Sequence, residues 1–203
     1  EWTDAGIDGA WRYINRLWRL VDESAVPLPP PGTPAPSDIS AAGMDVRRFT
    51  HRTIKAIGDD LDRFRFNKAV ARIRELSNTL EKLPGNEAGE AWVLREGLEV
   101  LVRLIGPMMP HLAEEMWQRL GHATLLADAA WPDADPALAT EETATVAVQV
   151  NGKLRATLQL PRDLAAADAE ALALADAGVQ KAIDGKPVRK VIVVPNRVIN
   201  VVV

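Results

Sequence analysis

The sequence predicts two domains, an all-α helical bundle followed by a small α+β domain of ββαββ order, and three observations predict it. Apolar residues recur at three- and four-residue steps as far as residue 121, then alternate strictly from Val146 onward. Two proline-bearing stretches, 24–43 and 122–142, interrupt the pattern. The charge also changes sign along the chain. Residues 143–203 hold eight Lys+Arg against five Asp+Glu, which leaves 16 basic and 23 acidic residues before them. The expected boundaries are therefore a bundle over 1–121, a connector over 122–142 and the α+β domain over 143–203.

The first helix is expected from Gly6 to about Glu23, with Trp11, Ile14, Leu17, Trp18 and Val21 on one apolar stripe that reads as core. Arg12, Arg16 and Arg19 fall on its other side. The run from Val26 to Pro36 is dense in proline, which donates no backbone hydrogen bond, so 24–43 is expected to be an extended, mobile loop. A second helix runs from about Met44 to Asp62, on Val46, Phe49, Thr53, Ile57 and Leu61. A third spans about Asn67 to Leu83, on Ala69, Val70, Ile73, Leu76 and Leu80, and Pro84-Gly85 stops it. The fourth covers Ala88 to Ile105 and ends at Gly106-Pro107. Pro110 suits the first turn of a short fifth helix, His111 to Leu120, which Gly121 closes.

Past residue 142 the period is 2. Val146, Val148 and Val150 alternate with Ala147 and Gln149, and Asn151-Gly152 is a strong hairpin signal. Leu154, Leu158 and Leu160 mark the return strand, and Pro161 ends it. An Ala-rich helix over Ala167 to Ala177 follows, with a continuation from Val179 to Ile183. A second strand pair, Val188 to Val194 and Val198 to Val203, turns at Pro195-Asn196, so one helical layer covers one sheet face.

Composition excludes several functions. The chain has 203 residues, 47% hydrophobic and 26% charged, the balance of an ordinary globular protein. With no cysteine there is no disulfide, thiolate metal site or thiol nucleophile, which suits a reducing cytosol. Neither a signal peptide nor an apolar run long enough for a bilayer is present. Lacking a starting Met, the chain is expected to be a piece of something longer. The net charge of −4 counts against a wholesale nucleic-acid binder.

Catalytic chemistry is not legible. None of His51, His111 and His122 lies one helical turn from a second His with carboxylates placed for a metal, and His111 reads as a structural residue at a helix start. Asp59, Asp60 and Asp62 are too close in sequence to share a helix face, and they read as a solvated helix end pairing with Arg63 or Arg65. Glu114 and Glu115 suit a helix N-terminus. Gly6, Gly9, Gly32 and Gly43 form no phosphate loop, and no nucleophile elbow is present. The expected catalytic and metal sites are therefore none.

The cations carry more information. Arg12, Arg16 and Arg19 form one stripe, and Arg47, Arg48, Arg52 and Lys55 a second. In the tail, Lys153 and Arg155 follow the first hairpin turn, while Lys186, Arg189, Lys190 and Arg197 surround the second strand pair. These six would line one edge of the sheet and meet phosphates by charge, without reading bases. For each cation taken singly, a solvated face is the plain alternative. Of the six tryptophans, Trp11, Trp18 and Trp117 read as core, and Trp131 has no assigned place.

At this point the residues resemble a family. The segment from Gly9 to Trp18 (GAWRYINRLW) resembles the opening helix of the anticodon-binding bundle of class I aminoacyl-tRNA synthetases. Phe64 to Ala71 (FRFNKAVA) is similar to that bundle's Phe-Asn-x-Ala helix start, and Pro107 to Trp117 (PMMPHLAEEMW) to its Pro-His-x-x-Glu-Glu segment. Val148 to Arg155, Ala173 to Asp176 and Val188 to Pro195 resemble the C-terminal domain of bacterial leucyl-tRNA synthetases. The likeness spans nearly the whole chain apart from the proline-rich loop, which looks like an insertion.

The resemblance implies a cytoplasmic parent enzyme that joins leucine to tRNA-Leu with ATP and magnesium, its catalytic and editing domains lying upstream. It implies for this part no cofactor, no ATP-site motif and no membrane partner. Its bundle would hold the inner side of the tRNA and its tail the outer corner, with Arg12, Arg16, Arg19, Arg47, Arg48, Arg52, Lys153, Arg155, Lys186, Arg189, Lys190 and Arg197 as the tRNA-binding set. Two alternatives stay open: the equivalent part of a valyl enzyme, and a protein-interaction module built on an exposed sheet.

Overall fold

The computed structural model describes residues 3–140 and 143–203. Glu1, Trp2, Glu141 and Glu142, which fall in the expected bundle and connector, lie outside the described residues. The chain divides into two compact units, Glu1–Thr140 and Glu141–Val203.

In the first unit, α1 (Asp4–Asp22), α2 (Ala41–Asp62), α3 (Phe66–Glu81), α4 (Glu90–Ile105) and α5 (Pro110–Arg119) precede a 3-10 turn (Leu126–Asp128) and the one-turn helix α6 (Pro136–Ala139). Caps set two of the starts. Thr3 Oγ1 accepts from the Gly6 amide at 3.2 Å, and Ser40 Oγ from the Gly43 amide at 2.9 Å. Helix α4 is the hub, because Val93, Leu94, Leu98, Leu101, Leu104 and Ile105 are buried around most of its circumference. Each such side chain contributes about 1.5–3 kcal/mol by leaving water. It meets α2, α3 and α5, and Gly97 lets Leu80 of α3 seat directly against its backbone.

Helix α1 is covered only over its C-terminal half. Leu17 and Val21 are buried and Trp18 packs on the core, but Trp11 is 64% exposed. The expectation that Trp11 is core is therefore corrected: among the described residues the start of α1 leaves Ile7 51% exposed as well.

The proline-rich stretch is held rather than mobile. Val26, Leu28 and Ile39 pack against the bundle core, Trp92 Nε1 donates to the Thr33 carbonyl at 2.7 Å, and the Ser40 amide donates to Ala88 O at 2.9 Å. Prolines bring no amides to satisfy, so a few fixed points suffice. The central fixed point is Glu90, which is 1% exposed. Its carboxylate accepts from Ser40 Oγ at 2.7 Å and from the Gly85 and Glu87 amides at 3.1 and 3.3 Å.

Residues 122–140, expected to link the domains, fold onto the bundle. Glu114 accepts from the amides of Leu126 and Ala127 at 2.7 and 2.9 Å, so it caps the 3-10 turn rather than only serving its own helix. The Asp135 amide donates to His51 Nδ1 at 3.0 Å, and Leu126 and Ala139 are buried.

Asp60 is not part of a solvated helix end. It is 2% exposed and accepts from Arg72 Nε at 2.8 Å, with Arg65 Nε at 3.2 Å. The Arg65 pairing matches the sequence expectation, whereas Arg72 reaches Asp60 because α3 lies along α2. The hydrogen bond from Arg72 is the main cause that holds the Asp60 carboxyl below its usual range, against the opposing effect of burial. A lowered folded-state pKa gives stability that is present above the unfolded value, about 3.9, and lost as pH falls through the folded one. Asp60→Asn is thus expected to destabilise the helical unit at pH 7, with the gap from the parent narrowing toward pH 3. Urea midpoints at the two pH values check this, and an unchanged gap would deny the carboxylate's charge any role.

The second unit contains β1 (Thr143–Val150), β2 (Lys153–Pro161), α7 (Ala166–Ala175), α8 (Ala177–Ile183), β3 (Lys190–Val194) and β4 (Val198–Val202). The sheet order is β2-β1-β4-β3, with two antiparallel outer pairs and a parallel β1–β4 pair between them. Asn151 and Gly152 take φ of 49° and 79°, as the expected two-residue hairpin turn requires. Ala144, Val146, Val148, Val150, Leu160, Ile199 and Val201 form the buried face, under Ala169, Ala173, Val179 and Ile183 of the helices. Asp176 separates the two helices and caps α8, accepting from the Gly178 and Val179 amides at 2.8 and 3.0 Å.

Candidate nucleic-acid interface

Some of the sequence-selected cations are committed to the fold. Arg16 reaches across to Glu81 of α3, with Nε at 3.1 Å from Oε1 and a second bond from its other nitrogen. That hydrogen bond holds the Glu81 carboxyl below its usual range and raises the Arg16 guanidinium. Both side chains are well exposed, so the pair stabilises by at most about 1 kcal/mol. Arg47 is more deeply engaged: Nε lies 3.0 Å from Glu96, the guanidinium sits 5.0 Å from the Trp92 ring centroid, and the side chain is 20% exposed. Arg48 is 3.4 Å from Asp45. Arg12, Arg19 and Lys55 are exposed and Arg52 is half-buried. Helix α1 packs on α5 and α3, whereas α2 packs on α3, α4 and α6, so the two stripes sit on helices with different principal neighbours.

The second unit groups its cations differently from expectation. Lys153 opens β2 opposite Val150, and Lys190 opens β3 opposite Val202. Because β1 and β4 run parallel with Val150 beside Val201, both lysines lie at the same end of the sheet. They occupy opposite edges, three strand spacings or about 14 Å apart. Arg155 lies on β2 near that end, beside a bulge at Val148/Gln149. Arg189 precedes β3, its amide donating to Val202 O at 2.9 Å, and Lys186 follows α8. Arg197 lies at the opposite end, in the turn between β3 and β4. The expectation of one edge is therefore corrected: Lys153, Arg155, Arg189 and Lys190 share one end spanning both edges, with Arg197 apart. All six are exposed. Along the β3 edge, Ile192 and Val194 are 42% and 41% exposed.

One surface feature was not singled out from the sequence. Phe64 is 80% exposed and Phe66 52% exposed at the turn between α2 and α3. The rings meet edge to face, with centroids 6.1 Å apart and planes at 82°. The available signal was Phe-Arg-Phe flanked by Arg63 and Lys68. Other aromatic groups are structural, such as Trp117, whose ring stacks on His122 with centroids 3.5 Å apart while His122 contacts Glu99 at 2.9 Å. Tyr13 is another, its hydroxyl pushed up by burial and hydrogen-bonded to Ser77 at 3.2 Å. Among the described residues no three His, Cys, Asp or Glu side chains gather as a metal would require, and no helix is long and apolar enough to cross a membrane.

Against known proteins, residues 45–171 match the family described as the anticodon-binding domain of tRNA ligase. The whole chain is 63% identical to 23% of the leucine–tRNA ligase of Paramagnetospirillum magneticum. It is 57% identical to 25% of the leucine–tRNA ligase of Rhodospirillum centenum. The chain thus spans about a quarter of the length of the curated relatives it matches. Among solved structures it is similar to the ternary complex of Agrobacterium radiobacter K84 agnB2 LeuRS with tRNA and LeuAMS. The TM-score is 0.76 at 29% identity, covering all of this chain and 26% of that one.

Proposed function

Because the chain belongs to the anticodon-binding domain family of tRNA ligases, we propose that it is the tRNA-holding, non-catalytic C-terminal part of a bacterial leucine–tRNA ligase. The observation that carries this is the 63% identity to such a ligase over the entire chain. In this reading the parent is a cytoplasmic enzyme that attaches leucine to tRNA-Leu with ATP and magnesium, and domains elsewhere in it supply that chemistry. The part described here positions the RNA.

Exposed cations at one end of the second unit's sheet suit a sugar-phosphate backbone. Lys153, Arg155, Arg189 and Lys190 are exposed there, and Lys186 is exposed after α8, so all five can donate to phosphate oxygens by charge. Arg12, Arg19 and Arg52 on the helical unit join them as contacts, whereas Arg16 and Arg47 act mainly by holding helices together. Phosphate contacts of this kind release counterions, so affinity falls with salt by about 0.7–0.9 log units per log unit of salt for each contact.

The test is fluorescence anisotropy of the chain with a tRNA-Leu transcript and an unrelated tRNA across a salt series. Replacing Lys153, Arg155, Lys186 and Arg189 together by Glu is expected to weaken binding and to flatten the salt slope by about 0.7–0.9 per lost contact. Unchanged affinity refutes the backbone grip, and salt-independent binding of a protein partner would favour an interaction module. Preference for tRNA-Leu over the unrelated tRNA tests the leucyl assignment.

A further inference from the structure

Phe64 occupies a backbone position that disfavours it. Its φ is 55°, and it directly follows Arg63, the C-cap of α2. The Phe64 amide donates to Leu61 O at 2.9 Å and the Arg65 amide to Asp60 O at 2.8 Å. That pair of bonds closes a helix through a left-handed residue, where glycine is the usual choice. The other non-glycine residues at positive φ among those described are Asn151, Asp163, Asp184 and Asn196, whose short polar side chains tolerate it. A bulky aromatic there is an outlier, and such strain points to a use.

The fold does not use the ring. The side-chain contact that accompanies this turn joins Arg65 to Asp60, an ion pair at 3.2 Å, and leaves Phe64 outside it. Phe64 is raised into solvent, touching Phe66 edge-on, and Val70 continues the exposed apolar strip one turn along α3. Past the turn the charge has one sign. From Arg63 to Arg74 the chain carries five cations and no acid. Arg65 and Arg72 face Asp60, while Arg63 and Lys68 are exposed. Asp59 and Asp62 lie exposed on the preceding turn of α2. An apolar protein surface would have no need of these cations, whereas a polyanion with flat bases matches both features.

We propose that Phe64, propped by Phe66, is a stacking platform for an unpaired base of the RNA that this chain grips, with Arg63 and Lys68 on the flanking phosphates. The inference rests on the RNA-binding function proposed above. It adds base stacking on the helical unit to a grip otherwise made through charge.

Anisotropy with the tRNA-Leu transcript and with a short single-stranded RNA tests it on the full chain. Phe64→Ala and Phe64→Leu are expected to weaken binding about 5- to 100-fold, and Phe64→Trp to retain it. Phe64→Gly should lose binding equally yet melt at or above the parent temperature, because glycine relieves the backbone. Parent-like affinity of the Ala variant overturns the proposal. So does parent-like affinity of the Leu variant beside a weak Ala variant, since that pattern marks an apolar protein contact. A lower melting temperature for Phe64→Gly would make the ring structural and also overturns it. If the parent chain itself binds neither RNA, the RNA-binding function fails first and this platform with it.

Discussion

Glu90→Ala is expected to destabilise the helical unit by about 3–5 kcal/mol, because it strips three donors of their acceptor inside a nearly closed site. Ser40 Oγ and the Gly85 and Glu87 amides all point at that carboxylate. Without it, the N-terminus of α2, the loop before α4 and the end of the proline-rich stretch lose their common anchor. Gly89 shows how close these parts are: a Cβ there would lie 2.7 Å from Asp38 O. The loss corresponds to a fall in melting temperature of roughly 10–15 °C. Tryptophan emission follows it selectively, since residues 2, 11, 18, 92, 117 and 131, all six tryptophans, precede the second unit. Glu90→Gln keeps one acceptor oxygen but turns an amide toward donors, and it should lose roughly 1–2 kcal/mol. A Glu90→Ala protein melting within a degree or two of the parent would show that water replaces the carboxylate and that the anchor is dispensable.

That anchor was invisible in the sequence for a physical reason. A glutamate in the first turn of a helix is already accounted for by the macrodipole, and nothing local announces Ser40, fifty residues earlier. Periodic features were legible instead. The apolar stripes of α2 and α3 located those helices, and the alternation of Val146, Val148 and Val150 located β1, because burial of one face imposes the period of the element itself. Aperiodic attachments escaped. Val26, Leu28 and Ile39 are single apolar residues among prolines, and the partner of Thr33 is Trp92, 59 positions away. Trp11 failed in the opposite direction, since its stripe has the right spacing yet its side chain is largely exposed among the described residues.

The same limit applies to the candidate interface. Residue type picks out the cations, but pairing decides which remain available, and the pairs here join distant positions. Arg16 meets Glu81 at a separation of 65 residues, and Arg47 meets Glu96 at 49, so no helical spacing rule finds them. Strand order is equally hidden. Two hairpins in sequence do not say that their inner strands run parallel, yet that arrangement is what brings Lys153 and Lys190 to one end of the sheet. For Phe64 the decisive property is a backbone angle, which the sequence Phe-Arg-Phe does not reveal.

Ile199→Ala is expected to unfold most of the second unit while leaving the helical unit intact. The core beneath α7 and α8 is made largely of alanine and valine, and Ile199, on β4 with no exposure, is its largest fully buried side chain. Truncating such a residue costs about 2–5 kcal/mol through lost burial and the cavity left behind. A domain of this size commands only about 3–5 kcal/mol in all, so little remains to hold the sheet. Limited proteolysis should then cut between residues 143 and 203, with loss of the β-sheet circular dichroism signal. The tryptophan-monitored melt should not move, because the helical unit keeps its own hydrophobic cluster. The functional consequence separates charge from geometry. An unfolded tail still carries Lys153, Arg155, Lys186, Arg189 and Lys190, so salt-dependent RNA attraction persists, but the sheet no longer brings Lys153 and Lys190 to one end. Affinity should therefore fall much further than the salt slope. If the slope vanished along with affinity, the phosphate contacts would depend wholly on the folded sheet. If neither changed, the cations would act as a flexible polybasic tail and their placement by β1 and β4 would be irrelevant to binding.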